Sequence, residues 1–388
     1  MLGLHPKDFD IATDAHPEEV RALFGNCRLI GRRFRLAHIR FGREIIEVAT
    51  FRAATDGTEK QGDVEHDVEG RILRDNVYGS IDEDVWRRDF TCNALYYNIA
   101  DFSIWDYVGG VKDVERRRLV LIGDPDTRMR EDPVRMLRAV RFAAKLDFKI
   151  DKSVDQSIHK NRDLLSNVPP ARLFDEFLKM FQAGHARQTF ELLREYDLFR
   201  LLFDDTDKAL NLDERFLSFV QRGLDNTDER VAAEKSVTPM FLLGVFFWLP
   251  VRELAGKMRS EEKLSEAQSL AMAAFDMSGR QQSRISVPRR FTTPMREMLA
   301  MQPRFDTRHG KRALRLLEHR RFRAAYDFMM LRAECGDFDP ELAAFWTDVQ
   351  TQSPEQRLKS FGIDQQKPSG KKRRRPRRRK RPAAKPPQ

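Results

Sequence analysis

The sequence predicts an α+β protein that ends in a disordered basic tail, and three observations support this prediction. In roughly the first 125 residues, strand-like runs with an apolar period of two alternate with a helix-like segment. Further along, the signals are helical: a helix start at Asp132-Pro133 and a twelve-residue apolar run from Met240 to Val251. From about Thr351 onward the chain is rich in Pro, Lys, Arg and Gln, and such a composition buries too little apolar surface to offset the entropy of ordering.

Composition limits the class of protein. The chain has 388 residues, 41% of them hydrophobic, which is enough for two or three domains with their own cores. The three cysteines, Cys27, Cys92 and Cys335, are far apart and lack the spacing of a zinc site or a disulfide framework, so a reducing compartment is expected. The run from Met240 to Val251 is too short to cross a bilayer and predicts a buried core helix, and no signal-peptide pattern opens the chain. We therefore expect a cytoplasmic protein that does not bind membranes.

The positive charge is concentrated at one end. The formal net charge is +10, and the segment from Lys371 to Arg381 supplies ten positive charges, so the rest of the chain is balanced. A dense arginine run without an amphipathic pattern is typical of segments that contact a phosphate backbone. A solubilising end and an anionic lipid surface are the alternatives. The nucleic-acid interpretation assigns RNA contacts to the tail arginines Arg373, Arg374, Arg375, Arg377, Arg378 and Arg379.

The first strand-like segment carries two carboxylates one residue apart. Side chains alternate in an extended chain, so Asp8 and Asp10 share one face while Phe9 and Ile11 share the other. Two carboxylates on one strand, joined by a third from a neighbouring strand, can hold a pair of Mg²⁺ ions. A solvated acidic loop is the alternative.

The next elements complete a small mixed α/β region. His16 to Phe24 predicts a helix with proline near its start, acids in its first turn and glycine after its end. Leu36 to Phe41 and Glu44 to Phe51 predict two strands joined by a tight turn. Glu47 shares its strand face with apolar neighbours, which is costly unless a cation compensates it; an edge strand that reaches solvent is the alternative. The polar stretch from Thr55 to Gly70 predicts a mobile loop.

Two charge clusters follow. Arg87 to Leu95 places three charges before an apolar segment that we expect to begin a helix, with Asp89 or Thr91 as a possible cap. In the second cluster Asp132-Pro133 begins a helix on which arginines recur every three residues at positions 135, 138 and 141. An acidic pair beside an arginine stripe can hydrogen-bond a base edge and bind a triphosphate. A solvated helix face is the alternative.

Together these blocks resemble the successive motifs of the bacterial class II nucleotidyltransferases, the poly(A) polymerase and tRNA CCA-adding enzyme family of the polymerase beta superfamily. The resemblance covers nearly the whole chain. Two stretches, Leu29 to His38 and Gly310 to Asp327, are similar to the segments that mark poly(A) polymerases, and the arginine-rich end agrees with them. The motifs that carry the family resemblance are Asp8-Phe9-Asp10, Arg87-Arg88-Asp89-Phe90-Thr91, Glu131 to Arg138 and Pro169 to Glu176.

The resemblance implies a fold and a domain arrangement. It implies a polymerase-beta-like catalytic head with a mixed sheet over residues 1–125, followed by an all-helical neck over 126–190 and an all-helical body over 191–350. Residues 351–388 would form the disordered Arg/Lys-rich tail. The neck would recognise the nucleotide, and neck, body and tail would hold RNA.

The resemblance also implies residue roles. Asp8, Asp10 and Glu47 match the metal-binding carboxylates, and Asp89 lies in a motif that contacts the nucleotide and is sometimes counted with the catalytic acids. Whether Glu47 or Asp89 is the third metal ligand therefore stays open. The residues expected to bind the nucleotide are Arg88, Glu131, Asp132 and Arg135, with Arg138 toward the phosphates, and Arg172 is expected to contact RNA.

The implied reaction is attack of an RNA 3′-hydroxyl on the α-phosphorus of ATP, with two Mg²⁺ ions as cofactors and pyrophosphate as product. The expected partners are ATP and the 3′ ends of mRNA and small RNA, with RNA-decay proteins as further partners of a monomer. Two alternatives stay open: a tRNA CCA-adding enzyme, and a noncatalytic RNA-binding protein. The second arises because the family carries a Gly-Gly-x-Val-Arg-Asp segment before Asp8, where this chain has only Met1 to Lys7. An internal Met taken as the start would explain the gap.

Overall fold

The computed structural model divides the chain into two compact units, Met1–Leu299 and Ala300–Gln388. The structure describes residues 1–3, 9–31, 35–53, 64–66, 72–75 and 77–363. The first unit holds all the strands found in these residues.

A four-stranded mixed sheet opens the first unit. Its strands lie in the order β1-β4-β3-β2, with β1 parallel to β4 and the other neighbours antiparallel. The helix α1 packs on one face through Val20, against Ala37, Ile39 and Val48. The predicted helix and both predicted strands are confirmed. The bounds are β1 Asp10–Thr13, α1 Pro17–Leu23, β2 Cys27–Ile30, β3 Leu36–Phe41 and β4 Glu44–Thr50.

Three two-stranded sheets and short helices follow this sheet. β5 pairs with β6, β7 with β8, and β9 with β10. The prediction of a mobile loop over Thr55–Gly70 falls largely outside the described residues, although β5 lies within that range. The elements are β5 Val64–His66, β6 Ile72–Asp75, α2 Ile81–Arg87, a 3₁₀ turn Thr91–Asn93, β7 Leu95–Tyr97, β8 Ile104–Asp106, α3 Gly110–Glu115 and β9 Arg118–Leu119.

The expected helix start at Arg87–Leu95 is wrong, because α2 ends there and β7 begins. Two side-chain hydrogen bonds favour a turn here. Asp89 Oδ1 accepts from the amide of Phe90 at 2.9 Å, and the Thr91 hydroxyl donates to Asp113 at 2.8 Å. Gly110 packs so closely that a Cβ there would lie 2.2 Å from the carbonyl oxygen of Thr91. The segment is therefore fixed by tertiary contacts that local propensity does not reveal.

The rest of the first unit is helical apart from β10 (Lys149–Ile150). Its core is aromatic: Phe177, Phe181, Phe199 and Phe203 surround Phe246, with ring centroids 5.1 to 6.4 Å from it. The helices are α4 Pro125–Glu131, α5 Val134–Leu146, α6 Lys152–Asn161, a 3₁₀ helix Arg162–Asn167, α7 Pro170–Phe181, α8 Ala186–Glu195, α9 Phe199–Leu202, α10 Asp204–Leu212, α11 Glu214–Ala232, α12 Pro239–Glu262, α13 Glu266–Gln281 and α14 Arg289–Ala300.

The apolar run from Met240 to Val251 lies in α12, as predicted. By length and composition alone this 24-residue helix could cross a bilayer. Yet Leu243, Val245 and Phe246 are fully buried within the unit, which is how the core helix of a globular domain behaves.

The second unit is a small helical cluster around Trp346. The indole is fully buried and donates to the carbonyl of Phe305 at 2.8 Å. Phe361 is also fully buried, 5.9 Å from the Trp346 ring, so the disorder predicted from residue 351 does not hold for the last described helix, α18. Residues 364–388 lie outside the described part. The elements are a 3₁₀ helix Gln302–Asp306, α15 Gly310–Leu317, α16 Phe322–Glu334, α17 Pro340–Thr351 and α18 Pro354–Ser360.

Candidate active site

One face of the mixed sheet carries a row of polar side chains. The register places Asp10 opposite Glu47, Glu47 opposite His38, and His38 opposite Arg28, so one side chain comes from each strand. Ile11, by contrast, pairs with the buried Val48 on the other face. The alternation predicted for the first strand is thus correct at Asp10 and Ile11, while Asp8 lies outside the described residues.

The carboxylates of this row are open to solvent. Asp10 is exposed, and the Glu47 side chain is 46% exposed with its Oε1 3.1 Å from Nε2 of His38. Because the Glu47 side chain is partly exposed, its carboxylate stays hydrated and avoids the desolvation cost of a buried charge on an apolar strand. A hard cation such as Mg²⁺ prefers neighbouring carboxylate oxygens that accept few hydrogen bonds from the protein, and these carboxylates match that preference. Among the described residues no group of three His, Cys, Asp or Glu side chains could hold a metal ion, so a metal centre would also need a ligand from outside them.

A second site is a cleft of about 490 Å³ between the segment after α2 and the helices α5 and α7. Six of its lining side chains are cationic and four are acidic, a balance that favours a polyanion. The segment after β4 contacts a residue of this cleft. The carbonyl of Ala53, three residues beyond the strand, accepts a hydrogen bond from Nη1 of Arg87 at 3.0 Å. The lining residues are Arg87, Arg88, Asp89, Asn93, Asp132, Val134, Arg135, Arg138, Arg172, Asp175, Glu176 and Lys179.

Asp89 lies at the wall of this cleft with its carboxylate fully engaged. Oδ2 accepts from Nε of Arg138, while Oδ1 accepts from the Phe90 amide at 2.9 Å and from Asn93 Nδ2 at 3.2 Å. Burial raises the pKa of Asp89, but the Arg138 charge and these hydrogen bonds outweigh it and lower the pKa below its ordinary value. The carboxylate stays ionised and serves as an internal acceptor. Its geometry fits an anchor for Arg138 better than a metal ligand.

Arg88, predicted to bind the nucleotide, lines the cleft but is held from behind. Its Nε donates to the hydroxyl of Tyr96 at 3.0 Å and its Nη2 to Asp84 at 3.1 Å. The Tyr96 ring also lies 4.9 Å from the guanidinium carbon. These contacts fix the arginine in one orientation at the edge of the cleft.

The two acidic residues Glu131 and Asp132 have different partners. Asp132 lines the cleft and accepts from Arg172 Nη2 at 2.9 Å, so Arg172 lies in this cleft too. Glu131 is not among the lining residues; its Oε2 accepts from Arg135 at 3.0 Å and from Arg128 at 2.9 Å. Arg135 is therefore held in place by Glu131, and of the acidic pair only Asp132 lines the cleft beside Arg135.

Arg128, which the sequence analysis did not single out, connects α4 and α5 to the C-terminal end of α2. Its Nη2 donates to the carbonyls of Arg87 and Arg88 at 3.0 and 2.7 Å, and its own carbonyl accepts from Arg135. The two backbone contacts satisfy carbonyls at the C-terminal end of α2. No local motif marks this role, because the partners are about forty residues away in sequence.

Two further cleft residues, Glu176 and Lys179, were also missed. They lie four and seven residues after Arg172 on α7, a helical spacing that places all three on one face. Glu176 accepts from Lys179 at 2.9 Å, and its buried Oε2 is 3.4 Å from Nε of Arg141. The spacing was visible in the sequence and could have identified both. The predicted RNA contacts Arg373, Arg374, Arg375, Arg377, Arg378 and Arg379 lie outside the described residues.

The chain is similar to known protein families and solved structures. Three family models match: the poly A polymerase head domain at residues 1–120, the probable RNA and SrmB-binding site of polymerase A at 147–210, and the polymerase A arginine-rich C-terminus at 262–381. Among solved structures, the CCA-adding enzyme of Bacillus stearothermophilus in complex with CTP covers 95% of this chain and 82% of its own, with a TM-score of 0.54 at 22% identity. That likeness confirms the predicted fold.

Sequence relatives separate the two branches of the family. Poly(A) polymerase I of Salmonella typhi is 45% identical over 97% of this chain and 82% of its own length, and that of Haemophilus influenzae is 46% identical over 92% and 80%. The CCA-adding enzyme of Bacillus subtilis is 35% identical over only 53% of this chain and 49% of its own. The predicted resemblance is confirmed: the chain belongs to the bacterial poly(A) polymerase I family.

Proposed function

We propose that this protein is a template-independent polynucleotide adenylyltransferase, which adds AMP from ATP to RNA 3′ ends, releases pyrophosphate and promotes RNA processing and decay. The observation that carries the proposal is the 45% identity to poly(A) polymerase I over 97% of the chain, which includes the cleft and the polar sheet face. The contacts of the cleft and of the sheet face support a role for each part.

Base choice would rest on Asp132 and Arg135. The Watson–Crick edge of adenine offers a donor at N6 and an acceptor at N1, which complement a carboxylate and a guanidinium respectively. Guanine and uracil present the opposite pattern and would leave both groups unpaired, whereas cytosine presents the same pattern as adenine. The pair therefore excludes GTP and UTP by their hydrogen-bond pattern. It must exclude CTP by the size and position of the base.

The cations of the cleft would bind the triphosphate. Arg138 is anchored by Asp89 through Nε, so its terminal nitrogens are free to face the cleft. Arg88 is fixed at the same edge by Tyr96 and Asp84. Preorganised donors of this kind stabilise charge that develops on the leaving pyrophosphate without reorganising during the reaction.

The carboxylates of the sheet face would hold Mg²⁺. Asp10 and Glu47 lie opposite each other on neighbouring strands, and Asp8 would join them from the segment before β1. Bound Mg²⁺ supplies Lewis-acid chemistry that lowers the pKa of the RNA 3′-hydroxyl and stabilises charge on the departing oxygens. Because the Asp89 oxygens already accept three protein hydrogen bonds, we assign the third carboxylate to Glu47.

RNA would bind along the helical part and the basic tail. In the second unit, α15 exposes Lys311, Arg312 and Arg315 while Ala313 and Leu316 are buried. Removing residues 371–388 should lower the magnitude of the log–log salt slope of RNA affinity by roughly 3 to 4, if about five phosphates are contacted at about 0.7 each. The proposal keeps the head and neck boundaries at residues 125 and 190 and extends the body beyond residue 350 to include α18 and the buried Phe361. It also includes a cytoplasmic monomer that works with RNA-decay proteins.

The test of the function offers each nucleotide separately to the purified protein. A labelled, unstructured RNA should be extended by many residues with ATP and Mg²⁺, and far less with CTP, GTP or UTP. Ordered addition of two cytidines and one adenosine to a tRNA lacking its end would favour the CCA-adding alternative. RNA binding without extension by any nucleotide would favour the noncatalytic one.

A further inference from the structure

The helices α13 and α14 and the loop between them concentrate positive charge, although none of their residues lines the cleft. From Met277 to Arg296 the chain has five arginines and no acidic residue, whereas the sequence outside the segment from Lys371 to Arg381 is balanced in charge. Arg280 pairs with Asp276 at 2.7 Å. No carboxylate in the described part of the chain pairs with the other four, which are Arg284, Arg289, Arg290 and Arg296. Cations that the fold leaves uncompensated suit a polyanionic ligand.

One face of α14 presents two of these arginines. Arg289, Thr293 and Arg296 follow one another at spacings of four and three residues, which place them on the same side of the helix. Arg289 and Thr293 are exposed, and Arg296 is half-buried. The two arginines lie about 10 Å apart along the helix axis, from the rise of about 1.5 Å per residue. Arg289 is also in the first turn, where a positive charge opposes the helix dipole, so helix stability does not explain its presence.

An exposed aromatic ring lies beside this face of α14. Phe275 of α13 is 66% exposed, and the guanidinium carbon of Arg296 is 5.0 Å from its ring centroid. Arg296 is held there, because its Nε donates to the carbonyl of Thr292 and its Nη2 to the hydroxyl of Thr293, both at 3.3 Å. We call Phe275, Arg289, Thr293 and Arg296 the arginine–phenylalanine face. It combines uncompensated positive charge with an aromatic surface that is open to solvent.

The start of α14 packs on the cleft helix α7. The Ser286 amide donates to the carbonyl of Pro170 at 3.1 Å, and the ring centroids of Phe291 and Phe174 are 5.8 Å apart. Pro170 and Phe174 belong to the segment that matches the family model of a probable RNA and SrmB-binding site. The arginine–phenylalanine face is therefore carried by a helix that packs against this segment.

We propose that the arginine–phenylalanine face binds the single-stranded RNA substrate upstream of its 3′ end, with phosphates on Arg289 and Arg296 and a base on Phe275; the inference rests on the proposed function. A nucleotide supplies both groups that the face lacks, an anion for the unpaired guanidinium groups and a flat ring for the aromatic surface. Neither contact depends on the base sequence, which suits an enzyme that extends many RNAs. An acidic peptide would satisfy the arginines alone, and four side chains offer much less than the roughly 800 Å² that each partner buries in a stable protein interface.

The test measures the affinity of the full-length protein for a fluorescent 20-nucleotide oligo(A) by anisotropy, over a range of salt concentrations. Phe275→Ala should lower the affinity at least about fivefold, the lower limit for the loss of one stacked base, whereas Phe275→Trp should retain it. Neither substitution should change the salt slope, because stacking releases no counterions. Leu212→Ala, which truncates a side chain 86% exposed on α10, is the matched control and should change nothing.

Substitution of the arginines should change the salt dependence. The double variant Arg289→Gln with Arg296→Gln should lower the magnitude of the log–log salt slope by about 1.4, at about 0.7 for each phosphate contact on a single strand. Arg289→Gln alone changes an exposed side chain and should lower the slope by about 0.7, which keeps the test valid if the double variant unfolds. Arg215→Gln on α11 is the matched control, because Arg215 is exposed and pairs with no carboxylate in the described residues.

AMP addition separates a failure of this inference from a failure of the proposed function. In a parent protein that adds AMP, unchanged oligo(A) affinity in Phe275→Ala, or an unchanged salt slope in the arginine variants, would overturn this inference and leave the proposed function intact. Weaker binding of polyglutamate by the double variant, at unchanged oligo(A) affinity, would assign the face to an acidic protein and overturn the inference as well. The KM for ATP should stay the same in all the variants. A parent protein that adds no AMP would instead refute the proposed function.

Discussion

Asp10 and Asp89 are both acidic residues of family motifs, but the fold treats their carboxylates in opposite ways. Asp10 is exposed on a strand edge, opposite Glu47. Asp89 is 8% exposed, and its two oxygens accept hydrogen bonds from Arg138, Phe90 and Asn93. The sheet thus leaves its carboxylates available to ligands, while the cleft uses its carboxylate to position a cation. Burial and hydrogen-bond partners, rather than the motif, therefore decide which of the two carboxylates is open to a ligand.

The largest effect should come from the open carboxylates. Asp10→Ala or Glu47→Ala should reduce the rate of AMP addition on the order of a thousandfold or more, because loss of a metal ligand removes several kcal/mol of transition-state stabilisation. Single-turnover incorporation of labelled AMP measures this, and RNA affinity should stay nearly unchanged. Asp14→Ala, which removes an exposed carboxylate just after β1, is the control. Parent-like rates in the two variants would refute the metal assignment.

Asp89→Asn should act mainly on stability. It leaves the charge of Arg138 without its partner, and because that side chain is 27% exposed we expect a loss of about 1 to 3 kcal/mol in the free energy of unfolding. Urea denaturation measures this loss. Asp163→Asn, which breaks the exposed pair with Arg200, should cost less than about 1 kcal/mol.

The activity of Asp89→Asn distinguishes a metal ligand from a residue that positions Arg138. If Asp89 supports Arg138, AMP addition should fall much less than in Asp10→Ala, and replacing Mg²⁺ with Mn²⁺ should not restore it. A thousandfold loss that Mn²⁺ relieves would place Asp89 among the metal ligands and refute its role as an anchor for Arg138.

Base discrimination should depend on Arg135 and, through it, on Glu131. Arg135→Ala should lower the preference for ATP over GTP and UTP by tenfold or more, since each lost hydrogen bond to a base edge is worth roughly 1 to 3 kcal/mol. Glu131→Gln should have a smaller effect of the same kind, because it only loosens the arginine. Ratios of kcat/KM for the four nucleotides measure both. Arg130→Ala, an exposed residue of α4, should leave the ratios unchanged.

The smallest expected effect concerns acid stability. Hydrogen bonds from Lys160 and Ser157 lower the pKa of Asp126 to about 2 from an ordinary value of 3.8. A depressed folded-state pKa contributes stability that is present above pH 3.8 and is lost as the pH falls toward 2. Asp126→Asn should therefore flatten the fall of the melting temperature between about pH 4 and pH 2. If the melting temperature of the variant falls with pH as steeply as that of the parent, the hydrogen bonds of Asp126 do not contribute to acid stability.

Sequence reasoning succeeded where alternation or helix-start signals are local. The two-residue period placed Asp10 and Ile11 on opposite faces, and a proline with first-turn acids located α1 correctly. It failed at Arg87–Leu95, because the contacts between Thr91 and Asp113 and the close approach of Gly110 come from later in the chain. Phe361 was missed as a core residue for the same reason: a single aromatic in a polar segment shows no period.

The candidate site shows the same limit. Arg135 and Arg138 were singled out by their spacing along α5, and Asp132 as the acidic residue just before that helix; the structure places all three in the cleft. The support functions of Glu131 and Asp89 could not be predicted, since each depends on which atoms approach from distant segments. Spacing on α7 could have identified Glu176 and Lys179 beside Arg172.

The several contacts of Arg128 have a thermodynamic consequence for ligand binding. One guanidinium binds Glu131, which holds Arg135, and also the carbonyls of Arg87 and Arg88. If Arg135 binds the base and Arg88 the triphosphate, as proposed, a displacement of Arg128 would change both sides of the cleft together, and the two sides would be energetically linked. Linkage is reciprocal: if a bound base favours one position of Arg128, a bound triphosphate that favours the same position must strengthen base binding by the same factor. Pyrophosphate alone should then raise the affinity for adenosine, and by more than it raises the affinity for uridine.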